Sequence, residues 1–165
     1  MALGVHSIDL LLHLTGASVE RVVSLCRNVG GSPVDIEDAA ALVLQLRAGG
    51  LATLHAGFYL DASYQSRLEL WMSNGWLRLE LGADPPLSWR RYGEPDPQSW
   101  TCDRNLDVRQ TELFLQQAID SIQFETGPVT GSPDARNVLE TVFAAYESSA
   151  TGGAITLESG VLTGA

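Results

Sequence analysis

The sequence contains no lysine: all ten of its basic residues are arginine. That absence excludes Schiff-base chemistry, a phosphate-loop Gly-Lys motif and a lysine general acid from this chain. A GC-rich genome is a sufficient cause for arginine in place of lysine. Positive charge is scarce altogether. Ten arginines face 20 acidic residues, giving a formal net charge of −10 and a pI near 4.5. A protein that tracks nucleic-acid phosphates needs clustered positive charge, so no nucleic-acid partner is expected. The acidic balance points instead to small molecules or other proteins. Cysteine is almost missing too. Cys26 and Cys102 form no CxxC pair and no disulfide-rich spacing, so they read as structural thiols and the cytoplasm is the expected compartment. No apolar run approaches the ~18 residues needed to cross a bilayer, and no membrane partner is expected. The opening MALGVHSIDLLLHLTG lacks a basic residue ahead of its apolar run, which His6, Asp9 and His13 interrupt. It does not read as a signal peptide.

What is present is globular: 45% hydrophobic and 18% charged residues over 165 positions, a length that suits a single domain with a real core. Periodicity divides the chain into a helix, then strands, then helices. Val5 to Leu14 carries apolar residues at 5, 8, 10, 11, 12 and 14, with Gly16 as a C-cap, and predicts a short, mostly buried helix. Val19–Val29, Ala39–Arg47 and Leu51–Leu60 read as strands. Arg67 to Leu81, RLELWMSNGWLRLEL, alternates on both sides of Asn74-Gly75 and predicts a β-hairpin with a type I′ turn. Its leucines fall on one face; Glu, Arg, Trp71 and Trp76 fall on the other. Leu87–Tyr92 adds a strand before the breaker-rich GEPDPQ. Helical spacing returns over Val108–Phe124 and again from Pro133-Asp134 to Thr151-Gly152-Gly153, after which Ala154–Leu157 reads as an edge strand. Strands first and helices later predict an α+β fold: an open, largely antiparallel sheet with helices packed on one face.

Chemistry-bearing residues concentrate in the first helix. His6, Asp9 and His13 stand at i, i+3 and i+7 and project from one side. A carboxylate one turn from an imidazole suits proton transfer, since it can fix the ring's tautomer and pKa. Two histidines and an aspartate are also metal-ligand types, but a single helical stripe converges poorly on one ion, and no metal is expected. The plain alternative is that both histidines are packing or interface residues. His55 and Tyr59 share one face of a strand and are weak candidates for binding a sugar; ordinary sheet packing is the plainer reading. The four tryptophans offer stacking surfaces, and for Trp71 and Trp76 a subunit interface is the better reading. Arg90-Arg91 reads as an anion site or a solvated strand end.

The segment Gly4-Val-His-Ser-Ile-Asp-Leu-Leu-Leu-His-Leu-Thr-Gly16 resembles the G-x-H-x-x-D-L-L-x-x-L-x-G helix of the glucose-fructose oxidoreductase / inositol dehydrogenase / MocA family. Asp38 to Leu60 is similar to the family's acid–strand–Gly-Gly–strand passage. SNGWLRLE is similar to its GTEGTLRLE hairpin, and GPVTGSPDARNVLETVFAAYESSATGGAITL resembles its ending. These passages follow in order over nearly all of the chain.

The resemblance implies an NAD(P)-dependent oxidoreductase that moves hydride to or from a hydroxyl of a sugar, cyclitol or related polyol. Members join an N-terminal Rossmann domain to an α+β domain, and this chain resembles the second alone. It has no GxGxxG after a strand, and the family's E-K-P lysine cannot come from a lysine-free sequence. NAD or NADP is therefore expected in the full-length enzyme and none bound by this chain alone. His6 matches the motif histidine implied in proton transfer. Asp9 matches the motif aspartate, implied to orient it or to bind a substrate hydroxyl. Many members carry an acid four residues before the histidine; here that residue is Ala2, which leaves the substrate subclass open. His13 falls where members have aliphatic or aromatic residues and reads as structural. The family's open sheet pairs with another subunit, so a homo-oligomer through that face is expected. Met1 is consistent with an internal methionine, a truncated piece or a separately encoded domain. The alternative function is a standalone, non-enzymatic α+β module that dimerises or binds carbohydrate.

Overall fold

A computed structural model describes residues 4–30, 36–47, 49–58, 65–101 and 106–158, with backbone only over 106–110. The elements run α1 (Gly4–Thr15), β1 (Val19–Arg27), β2 (Ala39–Leu46), β3 (Leu51–Gly57), β4 (Ser66–Met72), β5 (Gly75–Leu81), β6 (Leu87–Arg91), β7 (Gln98–Trp100), α2 (Leu106–Gln123), α3 (Ser132–Thr151) and β8 (Ile155–Thr156). The fold is α+β, and every strand pairing is antiparallel. The strands form two four-stranded sheets, in the orders β3-β2-β1-β8 and β4-β5-β6-β7. Residues 1–61 with 132–165 form one compact unit and residues 62–131 a second.

In the first unit the register aligns Ser24 with Leu42 and Leu54, and Val22 with Leu44 and Ala52. Those side chains share one face, and the helices α1 and α3 pack there. The core is made by Ile8, Leu11 and Leu12 of α1, Val138, Val142 and Ala145 of α3, and the β2 leucines, all buried. Leu42, Leu44 and Leu46 recur every second residue because successive strand side chains point to opposite faces. The opposite face carries Val23, Leu25 and Val43, at 46%, 62% and 46% exposure. These three form an apolar patch, bordered on the same face by Arg21, Gln45, Thr53 and His55, and uncovered among the described residues.

The outer edge of β1 is closed by an unusual route. β8 pairs only with Arg21 and Val22. Beyond it, the Ser24 amide donates to Ser148 Oγ at 3.0 Å and the Cys26 amide to Ser149 Oγ at 2.8 Å. Ser24 Oγ in turn donates to the Ala145 carbonyl, and Ser148 Oγ donates to the Gly153 carbonyl at 2.6 Å. Hydroxyls of α3 thus stand where a neighbouring strand would satisfy the sheet edge. The excursion between β1 and β2 is tied by Asp38, a buried carboxylate that accepts from the amides of Val29 at 2.7 Å and Gly30 at 2.8 Å.

In the second unit the hairpin over 66–81 is present, but its turn is displaced by one residue. Met72 pairs with Gly75, so Ser73 and Asn74 form the loop. Neither Asn74 nor Gly75 has positive φ, which excludes the type I′ turn that Asn-Gly suggests. Gly75 is the first residue of β5, and a Cβ there would sit 2.2 Å from the Arg90 carbonyl oxygen of β6. Close backbone approach, not turn geometry, is what requires glycine. The two hairpin faces are as the alternation predicts. Leu68, Leu70, Leu77 and Leu79 lie on one, and Glu69, Arg78, Trp71 and Trp76 on the other.

Candidate functional site

The first helix ends where its sequence says it should. Thr15 Oγ1 donates to the Leu11 carbonyl at 2.7 Å, and Gly16 takes φ +61° as the left-handed C-cap. The apolar stripe turns Ile8, Leu11 and Leu12 into the core, which leaves the polar stripe facing outward. His6 and His13 are exposed and Asp9 is half-buried. The three do not act as one cluster. Asp9 and His13 line a cavity of about 230 Å³ between α1 and the start of α3, together with Asp134, Asn137 and Ser18. His6, one turn nearer the N-terminus, is outside that lining. No hydrogen bond joins Asp9 to either histidine among the described residues.

Other sequence candidates stand apart from this helix. His55 is exposed and lies opposite Ala41, on the sheet face that α1 does not cover. It is not brought to His6 or Asp9. Tyr59 lies outside the described residues, as do Ala2 and Cys102. Cys26 is a half-buried free thiol whose amide is held by Ser149. Among the described residues no group of three His, Cys, Asp or Glu side chains is arranged to hold a metal ion.

The second unit has its own cluster on the non-leucine face. The Glu69 carboxylate accepts from Arg67 and, at 2.6 Å, from Arg78 Nε. The Arg67 hydrogen bond first, and the Arg78 bond second, hold the Glu69 carboxyl below the usual glutamate range. The Arg78 guanidinium stands 5.8 Å from the centre of the Trp76 ring, and Trp76 meets Trp71 at 6.5 Å. Trp71 is 71% exposed, and Arg90 Nε is buried with no hydrogen bond among the described residues.

Among the described residues there is no dinucleotide cradle. Such a site needs a glycine-rich turn from a parallel strand into a helix. Both sheets here are antiparallel throughout, and no described strand leads through a GxGxxG into a helix. The residues present do not fit NAD(P).

Sequence comparison identifies residues 1–78 with the GFO/IDH/MocA C-terminal domain. No curated protein matches. Among solved structures, the chain is similar to an oxidoreductase domain protein from Kribbella flavida, with a TM-score of 0.81 and 18% identity over 94% of this chain and 48% of that one. It is also similar to the WlbA dehydrogenase of Bordetella pertussis, solved with NADH and UDP-GlcNAcA, at TM-score 0.75 and 20% identity over 94% and 45% of the two chains. The aldose-aldose oxidoreductase of Caulobacter crescentus, complexed with glycerol, gives TM-score 0.75 and 19% identity over 93% and 46%. At these identities the shared property is the fold. The chain spans less than half the length of each.

Proposed function

From a chain whose residues 1–78 carry the GFO/IDH/MocA C-terminal domain, we propose the substrate-binding and oligomerisation half of an NAD(P)-dependent oxidoreductase acting on a sugar, cyclitol or related polyol. The observation that carries this reading is the first helix. The family match includes it, and it holds His6 exposed and Asp9 half-buried above a stripe that is otherwise committed to the core. His6 is therefore free of packing duty and accessible to a reacting hydroxyl, for which an imidazole, able to accept and to donate a proton, is a suitable carrier. Asp9 contributes a carboxylate that accepts from substrate hydroxyls.

NAD(P), held by a nucleotide-binding half outside this sequence, would supply the hydride transfer. The chain alone binds no nicotinamide nucleotide and is not catalytic. Neighbouring structures that hold NADH or NAD, each more than twice the length matched here, support this division. The uncovered face of the first sheet, with Val23, Leu25 and Val43, supports association of two copies.

The coding sequence upstream of Met1 tests the reading. A reading frame that continues into a glycine-rich strand–turn–helix and an E-K-P motif is the expected result. A stop codon directly upstream overturns it in favour of a separate dimerising or carbohydrate-binding module.

A further inference from the structure

The second unit carries a cluster that the proposed function leaves unused, and the strand register sets it out. Glu69 and Trp71 of β4 stand opposite Arg78 and Trp76 of β5, which stand opposite Ser88 and Arg90 of β6. Residues directly opposite in an antiparallel ladder share a face. The dipeptide Arg90-Arg91 is therefore split. Arg90 joins the tryptophan face, whereas Arg91, opposite Gly75, joins the leucine face and is exposed. The arginine that Arg90 meets as a diagonal neighbour is Arg78, one strand away.

The charges on this face do not cancel. Arg67 stands opposite Glu80, and Glu69 accepts from both Arg67 and Arg78 Nε. That leaves Arg90 as the cation without a carboxylate. Among the described residues, the Arg90 guanidinium, the Ser88 hydroxyl and the terminal nitrogens of Arg78 have no hydrogen-bond partner. Arg90 Nε is also withdrawn from solvent. A charged donor taken out of water and left without an acceptor is costly, and native structures keep few such atoms. An oxyanion is the acceptor that two guanidinium groups and a hydroxyl suit. Beside them, Trp71 is 71% exposed and meets Trp76 at 6.5 Å with 41° between the rings, so one indole is open to stacking. Trp71 and Arg90 lie two strands apart, about 10 Å at the backbone, a span that two long side chains and a single-ring acid bridge.

We propose that this face of the second sheet binds an aromatic oxyanion. Its carboxylate or phosphate accepts from Arg90, Ser88 and the terminal nitrogens of Arg78, and its ring stacks on Trp71. The site does not depend on the oxidoreductase reading. Long-range attraction does not create it, because the net charge of −10 repels anions from the chain as a whole. Short contacts at this one face carry the binding.

The test is a proton–nitrogen NMR titration of the full chain in about 0.15 M salt, where distant charges are screened. It is read at the indole N–H of Trp71 and Trp76 and at the Nε–H of Arg90. Benzoate and phenyl phosphate supply ring and charge, benzyl alcohol the ring alone, and acetate and inorganic phosphate the charge alone. Benzoate or phenyl phosphate is expected to shift all three signals and to bind about tenfold more tightly than benzyl alcohol. The same probe is expected to exceed its ringless counterpart about three- to tenfold, the worth of one aromatic contact. Which of the two binds better identifies the oxyanion as carboxylate or phosphate. Arg90→Gln is expected to erase the preference for charge. Trp71→Ala, at an exposed position, is expected to erase the preference for a ring, and it keeps the site testable if Arg90→Gln fails to fold. Benzyl alcohol binding as tightly as both anions, or no anion moving Arg90 Nε–H, overturns the proposal. Signals that follow protein concentration alone assign the face to a second copy and overturn it too. No probe is a polyol or a nicotinamide nucleotide, so failure here leaves the oxidoreductase reading to the upstream coding sequence.

Discussion

The Ser24 amide of β1 donates to the Ser148 hydroxyl of α3 at 3.0 Å, joining residues 124 positions apart at two nearly inaccessible points. Removing the hydroxyl leaves a buried N–H without its acceptor. Ser148→Ala is expected to destabilise the chain by about 1–3 kcal/mol, read from the midpoint of urea unfolding. A conservative Ser148→Thr that retains the bond should cost less. Equal stability of wild type and Ser148→Ala would count against the edge-closing role.

Gly75→Ala probes the second sheet. The added methyl meets the Arg90 carbonyl oxygen at 2.2 Å, and backbone on both sides leaves little room to yield. A loss of about 1–3 kcal/mol is expected, or failure of β5 and β6 to pair. Asn74→Ala is expected to have a much smaller effect, because Asn74 does not occupy a positive-φ position. If Asn74→Ala proved the more damaging of the two, the turn would have to be reassigned to Asn74-Gly75.

These two sites show how much was legible in the sequence. Alternation at Leu42, Leu44 and Leu46 placed β2 correctly because a half-buried strand must alternate. Helical spacing and Gly16 likewise placed α1 to within a residue at each end. Asn-Gly misled because the local turn preference competes with a tertiary demand, the approach of β6 to Gly75, that no local pattern records. β7 (Gln98–Trp100) was hidden directly behind the breakers of GEPDPQ. The stripe of His6, Asp9 and His13 was visible as helical spacing. Which of them share a cavity depends on Asp134 and Asn137, more than 120 positions away.

His6 and His13 are expected to separate functionally. In the polypeptide that carries the nucleotide-binding half, His6→Ala should lower turnover by about 10²–10⁴, the range for losing a general acid–base. His13→Ala should instead leave both kcat and KM nearly unchanged, because its place in the family motif implies a structural role. Unchanged turnover in His6→Ala returns that residue to a structural role.

The apolar face of the first sheet predicts association. Sedimentation at micromolar concentration is expected to show a dimer, and Leu25→Asp with Val43→Asp should yield a monomer of unchanged far-UV circular dichroism. Both positions point away from the helices, so the charges do not enter the core. A wild-type chain that sediments as a monomer removes the oligomerisation reading.

Glu69 gives a pH-dependent marker for the second unit. Its folded-state pKa is depressed, chiefly by Arg67 and next by Arg78. The sign follows from linkage: the stabilisation is present at neutral pH, above the unfolded-state value, and is lost as pH falls through the folded-state value. The Glu69 side-chain carboxyl carbon should titrate below the usual glutamate range by NMR. Arg78→Gln should move that midpoint upward. A midpoint already in the ordinary range would remove the ion pairs as a cause.

Asp38 has a consequence for how the molecule tolerates change. One buried carboxylate holds the amides of Val29 and Gly30, and its own amide donates to the Arg27 carbonyl at 3.0 Å. The two stems of the excursion between β1 and β2 are thus fastened at Asp38, and again where the Asn28 side-chain amide donates to the Ile36 carbonyl at 3.2 Å. Closing a longer segment between fixed stems adds a cost that grows only with the logarithm of its length, about 0.6 kcal/mol per doubling. The stretch after Gly30 is therefore a natural place for relatives to differ in length, and a practical one for grafting a foreign peptide without disturbing the sheet.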